Sequence, residues 1–307
     1  MRHSILHRIF IIAASLLLAA CTQQNNAPAA SDQTRAAPPT PAPAVITNEL
    51  LRTVLAKQPD DVQNRYDQRH PQQTLEFFGV KPGMTVVEAL PGGGWYSKLL
   101  LPYLGEEGRL IGVNYAQDMW QHFGGFATPE YIERMKTWPT DWPAGAREWG
   151  IPSAASVDGF VFGAMPETMS GTADAVLLIR ALHNMARFTE EGDYLMAALA
   201  DLHKVLKPGG IVGIVQHEAR PDMPDAWASG AMGYLKRDYV IDAMERAGFT
   251  LVGASAVNAN PKDQPTTDDF VWRLPPSYAV AGEDADKRAM VDAIGESNRM
   301  TLKFVKS

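Results

Sequence analysis

Short aliphatic runs alternate along this chain with stretches in which apolar residues recur at helical spacing. The runs Met84–Leu90, Leu110–Val113 and Ala173–Ile179 are rich in valine, leucine and isoleucine, which is typical of buried strands. The same pattern predicts later strands at Ile211–Gln216, Phe249–Ala256 and Met300–Val305.

Amphipathic segments between these runs predict helices. Leu195, Leu199 and Leu202 share one face of Glu190–Leu206, a helix that we expect to end at the Lys-Pro-Gly-Gly sequence of residues 207–210. Helices are also predicted at Tyr96–Leu104, at Tyr239–Ala247 and, as several short ones, within Asn48–Phe78.

Strands with few charges that alternate with helices predict an α/β fold with a mainly parallel sheet and helices on both faces. The last run, Met300–Val305, alternates apolar and polar residues, as an edge or antiparallel strand does. Ligands of such sheets bind at the carboxyl ends of the strands. Three consecutive glycines, Gly92, Gly93 and Gly94, follow the first strand at that edge. They indicate either a ligand that approaches the backbone closely or only a tight turn between strand and helix.

The N-terminus has the pattern of a secretory signal peptide. Basic residues precede an apolar stretch that is too short to span a membrane, and small residues precede Cys21. Residues 18–21, Leu-Ala-Ala-Cys, are similar to a bacterial lipobox, and Cys21 is the only cysteine. We therefore expect a signal peptide over residues 1–20 and a lipid on Cys21. The alternative is an ordinary signal that is cut near Ala20 and leaves a free thiol.

The segment after Cys21 predicts a tether. Residues 21–45 are polar or rich in alanine and proline, so they cannot bury a core and are expected to be disordered. The folded domain is expected over residues 46–307. A lipid anchor implies the periplasmic face of the cell envelope, and Thr22, in place of an aspartate after Cys21, favours the outer membrane.

The charge of the chain restricts its partners. A formal net charge of −7 argues against nucleic acid and against contact with anionic lipid other than through the anchor. With the single cysteine lipidated, neither a disulfide nor a thiolate metal site is expected.

Four segments in combination carry a resemblance to a known family: Glu88–Leu100, Ile179–Met185, Asn258–Ser277 and Ile294–Lys306. They resemble a bacterial family of predicted methyltransferases. More broadly, the apolar strand with its acid, the glycine loop and the later Leu-Lys-Pro-Gly-Gly turn of residues 206–210 resemble the class I S-adenosylmethionine-dependent methyltransferases. Within that class the chain resembles the exported, lipoprotein branch of this bacterial family. The resemblance implies a Rossmann-like methyltransferase fold, a mostly parallel seven-stranded sheet with an antiparallel C-terminal strand. It also implies S-adenosyl-L-methionine as cofactor.

The resemblance implies which residues of the first loop bind the cofactor. Glu88 matches the acid that ends the first strand in these enzymes. Gly92 and Gly94 match the later two glycines of the loop, with Gly93 between them, and Leu90 stands in the place of the first glycine.

Two other positions depart from the class I pattern. Asn114 follows the second strand, where these enzymes usually carry an acid that accepts both ribose hydroxyls, and its amide lacks that charge. Gly163 and Ala164 stand where an acid usually contacts the adenine, although Asp158 is nearby. We expect Asn114 to bind the cofactor in place of the acid.

Two histidines, His183 and His217, each follow a predicted strand at the expected ligand edge. Histidine exchanges protons near neutral pH, so either could be the base that deprotonates a methyl acceptor. Arg180 and Asn184 are placed to orient a carboxylate or a hydroxyl. The alternatives are hydrogen-bonded structural histidines, or a metal site formed with Glu218.

Two further features have open interpretations. The segment Asn258–Ser277 is either a lid over the site, with Asn260, Asp263 and Trp272 of most interest, or a packed surface loop. A dense group of tryptophans either lines an apolar pocket or belongs to the core: Trp95, Trp120, Trp138, Trp142 and Trp149.

The sequence thus predicts methyl transfer from S-adenosyl-L-methionine to an unknown small molecule or envelope component. A second interpretation is a lipoprotein that keeps the fold and binds a ligand or partner without transfer, since fold does not fix function. A third is metal-assisted chemistry at His183 and His217.

Overall fold

The computed structural model describes residues 49–152 and 154–307. The predicted signal peptide, the lipid site at Cys21 and the tether that ends at residue 45 lie outside the described residues. The predicted short N-terminal helices are present: α1 (Glu49–Ala56), α2 (Asp60–Gln63), α3 (Tyr66–Arg69) and α4 (Pro71–Phe78).

Seven strands form one sheet in the described chain, in the spatial order β3-β2-β1-β4-β5-β7-β6. β7 pairs antiparallel with both of its neighbours, and the other pairs are parallel. The predicted Rossmann-like methyltransferase fold is therefore confirmed. The strands are β1 (Thr85–Ala89), β2 (Arg109–Asn114), β3 (Ser156–Val161), β4 (Ala173–Ile179), β5 (Leu206–His217), β6 (Phe249–Ser255) and β7 (Arg299–Lys306).

Helices cover both faces of the sheet because successive strand residues point to opposite sides. On one face Val87, Ile111 and Val176 pack in the core cluster that includes α8, α9 and α10. On the other, Val86 and Leu110 pack with α1, α4 and α5. The remaining helices are α5 (Ser97–Leu104), α6 (Pro129–Met135), α7 (Trp138–Arg147), α8 (Leu182–Ala186), α9 (Tyr194–Val205), α10 (Arg237–Arg246) and α11 (Ala285–Ile294).

The aliphatic pattern misses β3 and leaves two alternatives open for β7. β3 is an edge strand that is only partly buried, which allows it to carry a serine, an aspartate and a glycine. Because the pattern misses β3, the aliphatic run Ala173–Ile179 is the fourth strand along the chain, although it is the third run. β7 is antiparallel, as expected, but the edge alternative is wrong, since it lies between β5 and β6. α9 begins at Tyr194, four residues later than predicted, and β5 already begins at Leu206.

The direction of β7 brings its preceding loop to the ligand edge of the sheet. His217 ends β5 and pairs with Arg299, the first residue of β7. Residues 296–298 therefore reach the same edge as the loops that follow β1, β2 and β4. No helix in the described residues is long and apolar enough to cross a bilayer.

Candidate functional site

A cavity of about 850 Å³ opens at the carboxyl edge of the sheet. Loops after four parallel strands, the N-terminal helices and the segment before β7 contribute to its wall. Gly92 and Gly93 follow β1, and His183 follows β4, whereas Asn114 and His217 are the last residues of β2 and β5. The structure thus brings together the glycine loop, the asparagine and the histidine pair that the sequence predicts for one site.

The glycine loop has both a packing role and an open face toward the cavity. A Cβ atom at Gly94 would lie 2.4 Å from Cη2 of Trp149, so this glycine is required by packing. A Cβ atom at Gly93 would meet nothing within 4 Å among the described residues, and Gly93 lines the cavity. Leu90 has φ 55°, a left-handed conformation that costs an ordinary residue about 1–2 kcal/mol. Packing therefore explains Gly94, while the ligand interpretation stays a prediction for Gly93.

Glu88 lies beneath this loop. Its side chain is buried and accepts a hydrogen bond from the Ser97 hydroxyl at 2.6 Å. Burial raises the pKa of Glu88 to about 7, although the hydrogen bond from Ser97 opposes the rise. Glu88 is absent from the described residues that line the cavity, and its carboxylate contacts Ser97, the first residue of the helix Ser97–Leu104.

Replacing Glu88 by glutamine is expected to stabilise the protein at pH 8 by on the order of 2 kcal/mol and to have little effect at pH 4. The folded pKa of Glu88 is raised from 4.5 to about 7, so its stabilising contribution is full below pH 4.5 and is lost as the pH rises through 7. Urea unfolding at both pH values measures the difference. The exposed Glu107→Gln is the matched control, and an equal effect of Glu88→Gln at both pH values would contradict the assignment.

Asn114 and a group of aromatic residues form the wall beside the glycine loop. The Asn114 side-chain oxygen accepts a hydrogen bond from the Tyr115 backbone N–H at 2.9 Å, so part of its capacity is used internally. The rings of Tyr115 and Trp120 meet edge to face at 5.0 Å between centroids. The indole N–H of Trp120 is buried and has no hydrogen-bond partner in the described chain. Tyr131 and Trp138 complete this aromatic wall.

The residues that stand in place of the adenine-binding acid lie outside the described cavity wall. The Gly163 backbone N–H donates to an Asp201 carboxylate oxygen at 2.7 Å. Asp158 pairs with Arg109 at 2.7 Å, at the level of Ile111 within the sheet. Neither Gly163 nor Asp158 is among the described residues of the cavity wall, so neither supplies an acid to it.

The two predicted histidines lie side by side in the cavity wall. Their ring centroids are 5.2 Å apart, and both side chains are buried. His183 Nδ1 lies 3.2 Å from Gln216 Oε1, while the Gln216 amide nitrogen donates to the Gly233 carbonyl, which fixes the orientation of the glutamine. His183 Nδ1–H is therefore the donor, and its Nε2 carries the lone pair. His217 Nδ1 lies 2.5 Å from the Ser297 hydroxyl.

Both histidines are neutral at pH 7. Burial lowers the pKa of His183 to about 4, although the hydrogen bond to Gln216 opposes the shift. Burial also lowers the pKa of His217 well below its ordinary value, and the neighbouring His183 and Arg180 add to the effect. Each can accept a hydrogen bond or a proton, but each is a weaker base than a solvent-exposed histidine.

The third residue of the metal alternative is engaged elsewhere. Both Glu218 carboxylate oxygens accept hydrogen bonds from Arg237, at 2.8 and 3.0 Å. In residues 49–152 and 154–307, no group of three His, Cys, Asp or Glu side chains is arranged to hold a metal ion. The metal alternative therefore has only two of its three proposed ligands near one another in this part of the chain.

The same cavity is lined by Arg180 and by three charged residues that the sequence does not predict for the site: Arg65, Arg69 and Glu296. Arg65 and Arg69, from the N-terminal helices, both donate hydrogen bonds through Nε to Glu296 Oε1 at 3.0 Å. Arg299 donates to Glu296 Oε2 at 2.9 Å. Arg180, which directly follows β4, approaches the same carboxylate to 4.0 Å. We call these five residues the arginine–glutamate cluster.

The Asn258–Ser277 segment and three tryptophans cover the site. Trp272 and residues 275–277 line the cavity. Asp263 does not: it is buried and bonded to Arg273 and Tyr234, at 2.8 and 2.9 Å, so it braces the segment. Asn260 donates to the carbonyls of Ile294 and Glu296. Of the five tryptophans in the dense group, Trp95, Trp120 and Trp138 line the cavity, and the other two pack against the core cluster that contains Val86 and Leu110.

The spacing of residues in the sequence could have indicated each of two pairs in the arginine–glutamate cluster. Arg65 and Arg69 are four residues apart and so share one side of a helical stretch. Glu296 and Arg299 lie in the Ile294–Lys306 segment that resembles the exported family, directly before the last strand. No local pattern shows that the two pairs meet, because more than 220 residues separate them, for example 227 between Arg69 and Glu296.

No family model matches this sequence, and no curated protein is similar to it. Solved structures are similar in fold. A SAM-dependent methyltransferase from Aquifex aeolicus is 16% identical with a TM-score of 0.47, over 81% of this chain and 99% of that one. The [4+2]-cyclase SpnF is 17% identical with a TM-score of 0.48, over 80% and 82% of the two chains. A geranyl diphosphate methyltransferase in complex with SAM is 16% identical with a TM-score of 0.45, over 83% and 95%. These identities and TM-scores are too low to support an argument, so the fold assignment rests on the strand order of this chain.

Proposed function

We propose that this protein transfers a methyl group from S-adenosyl-L-methionine to a small molecule. The observation that carries the proposal is that a single cavity, at the ligand edge of a methyltransferase fold, joins the glycine loop to the histidine pair. The resemblance of the sequence to class I methyltransferases supports it. The methyl donor would lie over β1 and β2, and the acceptor over β4 and β5.

The residues beside β1 and β2 fit such a donor. Open space at Gly93 allows a ligand to lie against the backbone. The Tyr115–Trp120 wall offers an apolar surface for an adenine ring. The Asn114 amide nitrogen contacts the Met135 sulfur at 4.0 Å and keeps a second N–H for a ribose hydroxyl.

S-adenosyl-L-methionine supplies an electrophilic methyl group on a sulfonium, and the protein has to hold the acceptor in line with it and exclude water. Trp272 and residues 275–277 are placed to exclude water. The Nε2 lone pair of His183 can accept a hydrogen bond from the acceptor. Because its pKa is about 4, His183 orients the acceptor better than it deprotonates it, which favours an acceptor that is already nucleophilic at neutral pH.

Calorimetric titration of the purified protein with S-adenosylmethionine and S-adenosylhomocysteine tests the proposal. We expect saturable binding of both at micromolar to millimolar concentration, because the missing acids each remove about 1.5–3 kcal/mol of charged hydrogen bonding. Absence of binding at millimolar concentration of either ligand would overturn the proposal.

A second candidate function, binding without methyl transfer, is favoured by the neutral Asn114 and by the low pKa of both histidines. Incubation with methyl-labelled S-adenosylmethionine and a cell-envelope extract separates the two. Binding of the donor without label in any product would favour the second function. Labelled product that is absent with His183→Ala would favour the first.

We propose further that the protein is lipid-anchored through Cys21 at the periplasmic face of the outer membrane. The signal-like N-terminus, the lipobox-like residues 18–21 and Thr22 support this. Cys21→Ser is expected to abolish labelling with radioactive palmitate in growing cells and to release the protein from membranes. Labelling that persists in the variant would contradict the anchor.

A further inference from the structure

The arginine–glutamate cluster contains more positive than negative charge. Four guanidinium groups surround one carboxylate, and the side chains of Glu296 and Arg299 are each only 4% exposed. Burial by itself would raise the pKa of Glu296, but Arg299, Arg69 and Arg180 outweigh it and hold that pKa at about 2. Glu296 is therefore ionised at every physiological pH and still neutralises only one of the four cations.

Arg180 is the member of the cluster that remains available. In the described chain its guanidinium makes no hydrogen bond, and its single ionic contact is Nη1 to Glu296 Oε2 at 4.0 Å. Its side chain is 27% exposed and lines the cavity. An arginine with five unused N–H donors, partly removed from water, is a ready site for an oxyanion.

The backbone of Arg180 holds it in this position. Arg180 has φ 56°, a left-handed conformation that residues other than glycine rarely adopt, and its N–H donates to the Val215 carbonyl at 2.6 Å. Such backbone conformations persist where the surrounding structure enforces them, often at functional sites. Here the conformation ends β4 at Ile179 and turns the arginine into the cavity wall.

The cavity as a whole is cationic in an acidic protein. The charged side chains in its wall are Asp61, Arg65, Arg69, Lys98, Arg180 and Glu296, four cationic and two anionic. The chain nevertheless carries a formal net charge of −7. A concave positive region on a negative protein attracts anions and concentrates them at one point of the surface.

We propose that Arg180, with Arg65 and Arg69 beside it, binds a carboxylate or phosphate group of the methyl acceptor. The assignment to an acceptor rests on the proposed function; the binding of an oxyanion does not. Arg180 lies after β4, next to His183 and on the acceptor side of the cavity. The methyl donor has two positive groups, a sulfonium and an ammonium, and one negative carboxylate, so its net charge is positive. An excess of arginines therefore fits an anionic acceptor better than it fits the donor.

Titration of the purified protein with inorganic phosphate at low ionic strength tests the oxyanion site. We expect saturable binding to the wild type and at least tenfold weaker binding to Arg180→Gln. Arg109→Gln makes the same charge change on β2, outside the described cavity wall, and should bind phosphate as the wild type does. Equal affinity of wild type and Arg180→Gln, or no saturable binding to the wild type, would overturn the site.

Thermal unfolding checks that Arg180→Gln is folded and separates a binding role from a structural one. The Arg180 guanidinium makes no hydrogen bond in the described chain, so its replacement by glutamine leaves no other group unpaired. In phosphate-free buffer the variant should therefore melt at the wild-type temperature or above it. Phosphate should raise the melting temperature of the wild type and of Arg109→Gln only. A lower melting temperature of Arg180→Gln without phosphate would show a structural role and would overturn the proposal.

A second titration identifies which ligand supplies the anion. Phosphate affinity that is unchanged in saturating S-adenosylhomocysteine would support the acceptor. Competition by S-adenosylhomocysteine, but not by 5′-methylthioadenosine, would assign the arginines to the carboxylate of the methyl donor and overturn the acceptor assignment. Absence of S-adenosylhomocysteine binding would overturn the proposed function and the acceptor assignment with it, while the phosphate titration alone would still decide the oxyanion site.

Discussion

Glu296→Gln is expected to lower the free energy of unfolding by about 3–5 kcal/mol at pH 7, because it leaves several buried guanidinium groups without their counter-charge. Glu296 accepts hydrogen bonds from Arg65, Arg69 and Arg299, and Arg299 is as deeply buried as the glutamate. A glutamine keeps the shape and one acceptor oxygen but loses the charge. Urea unfolding followed by circular dichroism measures the change.

The matched control is Asp158→Asn. Asp158 also pairs with an arginine, Arg109, but its side chain is 40% exposed, so we expect a loss of less than about 1 kcal/mol. An effect of Glu296→Gln no larger than that of Asp158→Asn would show that the cluster is not held by its carboxylate.

The effect of Glu296→Gln should also depend on pH. The folded pKa of Glu296 is about 2, below its ordinary value of 4.5, so its stabilisation is full above pH 4.5 and is lost as the pH falls through 2. The difference between wild type and variant should therefore shrink as the pH falls from 4.5 toward 2. The buried His183 and His217 also destabilise the fold in acid, but they do so in both proteins. A difference that stays constant down to pH 2 would contradict the low pKa of Glu296.

Gly93→Trp is expected to weaken binding of S-adenosylhomocysteine at least 100-fold and to leave stability unchanged. Gly93 does not have a positive φ, and a Cβ atom there meets nothing within 4 Å in the described protein, so an indole would extend into the cavity without disturbing the loop. Gly94 is unsuitable for this test, because a side chain there collides with Trp149 whether or not a ligand binds. Calorimetric titration measures the affinity.

Gly145→Trp is the control for this substitution. Gly145 is exposed on α7, it also lacks a positive φ, and a Cβ atom there meets nothing within 4 Å among the described residues. We expect wild-type affinity for S-adenosylhomocysteine. Binding that survives Gly93→Trp would show that the ligand does not lie against the glycine loop.

The sequence by itself determined most of the sheet and one half of the site. Aliphatic runs such as Ala173–Ile179 indicate central strands because burial on both faces requires apolar residues at every position. β3 escapes this rule because an edge strand tolerates polar residues. The glycine loop, Asn114 and both histidines lie at or shortly after the carboxyl ends of parallel strands, so the rule that such strands share a ligand edge is sufficient to bring them together.

Only the tertiary structure decided the charge of the cavity and the roles of individual residues. Arg69 and Glu296 meet across 227 residues of sequence because β7 runs antiparallel and delivers its preceding loop to the carboxyl edge of the other strands. The same folding buries His183 and lowers its pKa to about 4, although the residues around it in the sequence give no local signal for burial. Desolvation and long-range charge pairing depend on which side chains are neighbours in space, and hydrophobic periodicity along the chain carries no information about that.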